Sequence, residues 1–232
     1  VSGHNLLMLY LGVELLALSL YSLVIYCRKS KLSSIESGVK YFILGAVASA
    51  VLLLGLAMVY GATGSLDLTD IHNAVLMGQF EEGRLLLGVA LIMVAFAFKF
   101  GAVPFHMWLP DVYEGSPTAV SVYIATAPKV AALGFGVRIL VETLGQLHDQ
   151  WSTVALVLAL LSMLFGNLMM LKQTNFKRML GYSAIANAGF IFLGFAVGKG
   201  IDYDGYSAAL FYTVSYAFMA AAGFGLLLLV TH

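Results

Sequence analysis

Three charged side chains, Glu14, Lys99 and Lys129, lie inside apolar stretches of the sequence and well away from the ends of those stretches. Placing such a charge at the centre of a bilayer costs roughly 2.5–3.5 kcal/mol on insertion scales. Charges at that depth are therefore rare, and by default they mark an ion pathway or a chain of proton carriers. Because carboxylates and amines both bind and release protons, the three positions predict a proton relay.

The composition is that of a polytopic membrane protein. The 232 residues are 61% hydrophobic and 10% charged, with a mean hydropathy of +0.93, which no ordinary soluble domain shows. The formal net charge is zero, so there is no basic surface that would indicate nucleic acid. The single cysteine, Cys27, cannot form an internal disulfide or a metal site by itself, and we expect it to face lipid.

Seven apolar runs approach or exceed the roughly 20 residues that a transmembrane helix needs. They are continuously apolar rather than alternating, which predicts helices and not a closed barrel. The fold class expected is therefore an all-α polytopic membrane protein. The predicted spans are residues 5–27, 39–60, 85–108, 119–141, 154–171, 179–197 and 207–230.

Loop charges predict the orientation of these spans. The odd-numbered loops hold seven Lys and Arg residues and the even-numbered loops hold three, which places the odd-numbered loops in the cytoplasm. The long second loop contains a mixed stretch, residues 65–80, that is typical of an amphipathic segment at the membrane interface. One histidine there, His72, could contact a metal, but a solvated or structural role is favoured.

Two of the spans contain helix-breaking residues beside a lysine. Gly101 and Pro104 follow Lys99 by two and five residues, and Pro128 immediately precedes Lys129. Proline removes a backbone donor and clashes with the preceding turn, and unwound backbone at membrane depth is tolerated only in buried or water-lined places. Broken helices beside ion sites recur in transporters, although Pro and Gly are also simply common in membrane helices.

The three charges lie at similar depth, since each is some ten or more residues into its span and a helix rises about 1.5 Å per residue. They could therefore form a lateral row near the middle of the membrane. A structural salt bridge between Glu14 and Lys99 is the alternative for those two, and it leaves Lys129 without an evident acidic partner. Ser121 and Thr126 could hydrate the region near Lys129, and His106 is either part of an access route or a structural histidine.

Two motifs resemble signatures of one family. The segment VPFHMWLPDVYEGSPTAVS (residues 103–121) closely resembles a signature of the antiporter-like membrane subunits of respiratory complex I, and TNFKRMLGYSAIANAGF (residues 174–190) resembles a second. The first-span stretch GVELLALSLYSL (residues 12–23) is similar to that of the N branch of the family in particular. The resemblance covers essentially the whole chain.

The resemblance implies a longer protein of about fourteen spans with two inverted repeats, each containing a broken helix. Residues 1–150 would be part of the first repeat, with helices that correspond to the fifth to eighth of the family. Residues 151–232 would begin the second repeat, with helices nine to eleven. Both ends of the sequence then look like cuts within that longer chain.

The resemblance also implies roles for individual residues. Glu14 matches the family's glutamate on its fifth helix, Lys99 the lysine on the broken seventh helix and Lys129 the central lysine on the eighth. Asn187 stands where many relatives carry a histidine, so a proton passing that position would need water or another group. The function implied is proton translocation, as a subunit of a translocase, coupled to quinone reduction elsewhere.

We expect no metal, cofactor or redox active site in this chain, because it has neither cysteine clusters nor paired histidines at haem spacing. Flavin, iron–sulfur clusters and quinone would belong to partner subunits. The expected partners are the other membrane subunits of complex I, sister antiporter-like subunits included, within a bacterial inner membrane. The alternatives are a subunit of an Mrp-type sodium/proton antiporter, an unrelated secondary transporter, or a structural membrane scaffold that transports nothing.

Overall fold

The computed structural model describes residues 3–26, 32–200 and 204–231. Cys27 and the first-loop charges Arg28, Lys29 and Lys31 lie outside these ranges. The described chain is helical and holds seven segments long and apolar enough to cross a membrane, which confirms the fold class and the number of spans. The helices are α1 Leu6–Ile25, α2 Leu32–Thr63, α3 Leu68–Leu76, α4 Glu82–Phe100, α5 Trp108–Gly115, α6 Thr118–Ala125, α7 Ala127–Gly136, α8 His148–Met170, α9 Phe176–Val197 and α10 Gly205–Thr231.

The third span is broken as predicted, although its transmembrane helix is shorter than expected. Helix α4 ends at Phe100, eight residues before the predicted limit, because Gly101 adopts a left-handed conformation with φ of 72°. Only glycine takes that conformation without steric cost. An irregular stretch that includes Pro104 follows, and α5 then runs to Gly115. The broken helix of the sequence prediction is therefore α4 and α5.

The fourth span is also interrupted. Helix α6 ends at Ala125 and α7 begins at Ala127, with Thr126 between them at φ −116° and ψ −90°. Pro128 falls in the first turn of α7, where its missing N–H leaves no intrahelical bond unmade. The span then ends in a π-helical segment, Val137–Thr143, which the sequence analysis did not predict.

Two helices begin six or seven residues before their apolar runs, and the other helices differ from theirs by three residues or fewer at the start. Helix α2 starts at Leu32 rather than residue 39, and α8 starts at His148 rather than residue 154. Both extensions are mostly polar, so the search for apolar runs did not include them. A helix can continue beyond the bilayer, where polar side chains meet water or other loops. The short α3 is amphipathic as predicted, with Leu68, Ile71 and Val75 buried, while its place at the membrane interface stays a prediction.

Buried apolar side chains form two clusters stacked along the bundle. The first core includes Leu9, Ile92, Leu140, Trp151 and Phe192 and holds the end that carries α3. The second core packs α5 against α1, α2, α9 and α10 at the opposite end of the bundle. Among its members are Tyr21, Trp108, Tyr113, Ile185 and Phe224.

Candidate functional site

A layer of polar residues separates the two cores. On α1, Glu14 lies between Leu9 of the first core and Ala17 of the second. On five further spans, a polar residue likewise lies at the point where the helix passes from one core to the other. Since the helices cross the bundle side by side, these polar residues lie at one level. The mid-layer comprises Glu14, Ser49, Lys99, Lys129, Asn187 and Thr213.

Glu14 and Lys99 approach each other within this layer. Glu14 is partly buried and accepts a hydrogen bond from the hydroxyl of Ser49 on α2. Lys99, also partly buried, feels the charge of Glu14, but no ion pair within 4 Å joins the two in the described ranges. The alternative of a tight structural salt bridge is therefore not what the geometry shows.

A small cavity of about 40 Å³ adjoins Lys99. Side chains from α1, α2, α4 and α7 line it, among them Val13, Tyr41, Lys99 and Pro128. One water needs roughly 10–15 Å³ by this measure, so the volume would hold a few water molecules, while the lining is mostly apolar and Lys99 and Tyr41 supply its polar side chains. Its wall thus connects Lys99 to the first turn of α7, the turn that carries Lys129.

Lys129 is the most deeply buried of the three charges, with 2% of its surface exposed. Its Nζ lies 3.5 Å from the carbonyl oxygen of Phe100 and 4.9 Å from the centre of the Tyr216 ring. The last carbonyls of a helix have no partner within the helix, so the break after α4 is what frees the Phe100 oxygen. Lys129 is thereby placed next to the residue that follows Lys99.

The hydroxyl groups proposed to hydrate Lys129 divide into two kinds. Ser121 is fully buried, and its Oγ lies 2.8 Å from that of Ser116, between α5 and α6. The hydroxyl of Thr126 instead donates to the carbonyl of Val122 in α6. The Thr126 carbonyl accepts the backbone N–H of Lys129 at 3.0 Å, so Thr126 supports the start of α7.

Asn187 belongs to the mid-layer, on α9. Its Nδ2 donates to the carbonyl of Ser183, and its Oδ1 accepts the hydroxyl of Tyr212 on α10 at 2.5 Å. The amide is thus held between two helices. His106, by contrast, lies in the irregular stretch before α5, where its ring packs edge-on against Phe165 of α8.

An ionic cluster fixes α5 at the end of the bundle. Arg178 on α9 bonds Asp111 at 2.7 Å and Glu114 at 2.9 Å, and Lys40 on α2 bonds Asp111 at 3.1 Å. The second half of the broken span, α5, is therefore tied by charge to α2 and α9. His72 lies at the other end of the bundle. Neither there nor elsewhere do the described residues include a group of three or more side chains arranged to hold a metal.

Sequence reasoning missed four residues of this site, namely Thr213 of the mid-layer and three residues that contact the predicted ones. Ser49, Tyr212 and Tyr216 contact Glu14, Asn187 and Lys129 respectively. Ser49 gave no signal, since a lone serine is ordinary in a membrane helix. The tyrosines did, because polar side chains recur on one face of α10 at 212, 213 and 216, a spacing that places them on one side of a helix.

Comparison with known proteins shows what this arrangement is similar to. The chain is 52% identical, over all of its length, to NADH-quinone oxidoreductase subunit N of Alkalilimnicola ehrlichii, and it covers 46% of that relative. The predicted resemblance to the N branch is thereby confirmed. The chain spans about half the length of the curated relatives it matches.

Two solved structures share the fold. One is respiratory complex I from Thermus thermophilus, with a TM-score of 0.78 and 36% identity, where 97% of this chain covers 47% of the matched chain. The other is the Mrp complex from a Dietzia species, with a TM-score of 0.85 and 26% identity, where 95% of this chain covers 40% of the matched chain. The model of the NADH:quinone oxidoreductase/Mrp antiporter transmembrane family matches residues 3–232, and the chain belongs to that family.

Proposed function

We propose that this chain is part of the proton-translocating machinery of an NADH-quinone oxidoreductase membrane subunit, with Glu14, Lys99 and Lys129 as successive proton carriers. The observation that carries the proposal is the mid-layer. Three ionisable groups share one level between two apolar cores. A charge in such a place costs free energy, so its presence there points to a function.

The proposed relay begins with Glu14 and Lys99. While the carboxylate is near, it stabilises the ammonium of Lys99 and the proton stays there. If a conformational change moves the two apart, the buried ammonium loses that stabilisation and releases its proton. The absence of a tight ion pair supports this scheme, because a loose pair separates at smaller cost than one in contact.

From Lys99 the proton would pass through waters in the adjoining cavity toward Lys129. The broken helix α4–α5 brings the two lysines to neighbouring positions, and the freed carbonyl of Phe100 faces the receiving amine. Ser121, Thr126 and Asn187 would support the path, the first through its buried hydroxyl pair. His106 would serve as an access group from the end that carries the ionic cluster.

The chain holds no redox chemistry in this proposal. Flavin, iron–sulfur clusters and quinone would belong to other subunits of the complex, and the neighbours would be further membrane subunits in a bacterial inner membrane. The likeness to the Mrp complex favours one second candidate, exchange of sodium for protons by the same side chains.

The test is proton uptake per NADH oxidised in inverted membrane vesicles that carry the full-length subunit. Lys129→Ala and Glu14→Gln should both lower the ratio, the second because it removes the charge and keeps the shape. Lys172→Ala serves as the control, since Lys172 is an exposed lysine that follows α8. Unchanged pumping by Lys129→Ala in an assembled complex would refute the relay, and a sodium/proton exchange assay would then test the second candidate.

A further inference from the structure

Within the described residues, Lys129 has no counter-ion in contact with it. No ion pair in the part of the chain that the structure describes includes Lys129. The charged groups on elements that pack against α7 are Glu14 on α1, Lys99 near the end of α4, and Arg138 and Glu142 in the π-helical segment that continues α7. Helix α4 also carries Glu82 and Arg84, which are exposed in its first turn, at the opposite end from Lys99. Arg138 bonds Glu142 and the carbonyl of Gly3 instead.

Lys129 therefore has two polar contacts. The distance of 3.5 Å to the Phe100 carbonyl is beyond the usual range of an N–H···O hydrogen bond, 2.7–3.2 Å, so this contact is weak. The other contact is the face of Tyr216, whose ring centre lies 4.9 Å from Nζ. An aromatic face attracts a cation within about 6 Å, and most strongly where water is excluded.

Bulk water does not reach this contact, because Lys129 and Tyr216 are 2% and 5% exposed. The ring is also held in place by its neighbours. Helix α10 packs on both halves of the broken fourth span, and Tyr113 of α5 lies close to the Tyr216 side chain. The ring therefore presents its face to Lys129 without having to be ordered first.

We propose that Tyr216 is a positioning residue for the proposed relay, whose aromatic face holds the charged form of Lys129 in the mid-layer. The inference rests on the proposed function of Lys129. A ring face differs from a carboxylate in one chemical respect: it stabilises the ammonium but cannot accept its proton. Tyr216 thus supports a lysine that both binds and releases a proton, where an acidic partner would compete for that proton.

The position of Tyr216 has a second consequence. Lys129 lies in the part of the chain expected to form the first repeat, and Tyr216 lies in the part expected to begin the second. The contact thus joins the two repeats at the central lysine.

The experiment separates the ring from its hydroxyl group. Tyr216→Phe and Tyr216→Leu are placed in the full-length subunit, and proton uptake per NADH is measured in inverted vesicles beside Lys129→Ala. Phe218→Leu is the matched control, because it removes a ring from the exposed side of the same helix. Immunoblotting of the membranes shows that each variant is present.

We expect the initial rate of NADH-driven proton uptake in the same vesicles to stay within twofold of the wild type in Tyr216→Phe and to fall at least tenfold in Tyr216→Leu, as removal of a desolvated cation–π contact predicts. Normal pumping by Tyr216→Leu while Lys129→Ala fails would overturn the role of Tyr216 and leave the relay intact. Equal loss in Tyr216→Phe and Tyr216→Leu would overturn it as well, since the hydroxyl group would then be the active part. Normal pumping by Lys129→Ala would refute the proposed function itself.

Discussion

Replacement of Lys129 by methionine should make the protein more stable and abolish its activity. Methionine has a similar length and no charge, so Lys129→Met fills the same space. The gain is the cost of keeping a charge at the bilayer centre, roughly 2.5–3.5 kcal/mol. The loss is the contact with Tyr216, worth about 2 kcal/mol when water is excluded. The long hydrogen bond to Phe100 adds little to that loss.

The difference predicts a net increase of about 0.5–1.5 kcal/mol in the free energy of unfolding. The assay is unfolding of the purified full-length subunit by sodium dodecyl sulfate in mixed micelles, followed by near-ultraviolet circular dichroism. Proton uptake per NADH is measured in parallel in vesicles that contain the assembled complex. Lys172→Met is the control, because Lys172 is exposed and its replacement should change neither quantity.

A loss of stability in Lys129→Met would refute this reasoning. It would mean that the ammonium contributes to the fold more than its burial costs, and Lys129 would then be structural. A gain in stability with unchanged pumping would contradict the relay instead. Only higher stability combined with failed pumping agrees with a charge that is kept for function.

Two further predictions concern other parts of the chain. Ser49→Ala removes the hydroxyl that donates a hydrogen bond to Glu14, and a hydrogen bond to a charged group is worth about 1.5–3 kcal/mol. Pumping per NADH should therefore fall several-fold in Ser49→Ala and recover in Ser49→Thr. Normal pumping by the alanine variant would contradict a role for Ser49. Hydrogen bonds from the hydroxyl and backbone N–H of Thr69 lower the pKa of Asp67, the N-cap of α3, so this stabilisation is complete above the ordinary value near 3.9 and is lost as pH falls through the lowered one. Hydrogen exchange of the α3 amides should accordingly speed up under acid conditions in the wild type beyond the intrinsic change, but not in Asp67→Asn, whose amide does not titrate.

Much of the fold follows from local rules that the sequence obeys by itself. Continuous apolar runs can only be helices in lipid, since every backbone group must find a partner within its own segment. Gly101 and Pro128 predicted two of the breaks, because the conformational freedom of glycine and the fixed φ and missing N–H of proline act on the adjacent backbone. The end of α4 at Phe100 was missed, because the apolar run continues past Gly101, where the left-handed glycine ends the helix.

The candidate site was predicted only in part, for a related reason. A charge in an apolar run is visible in the sequence, which is why Glu14, Lys99 and Lys129 were found. The tertiary structure alone decided that Glu14 is held by Ser49, that Glu14 and Lys99 stand apart rather than in contact, and that Lys129 faces Tyr216. Those contacts join residues 35 and 87 positions apart, and their geometry depends on how whole helices pack, which no local pattern of residues specifies.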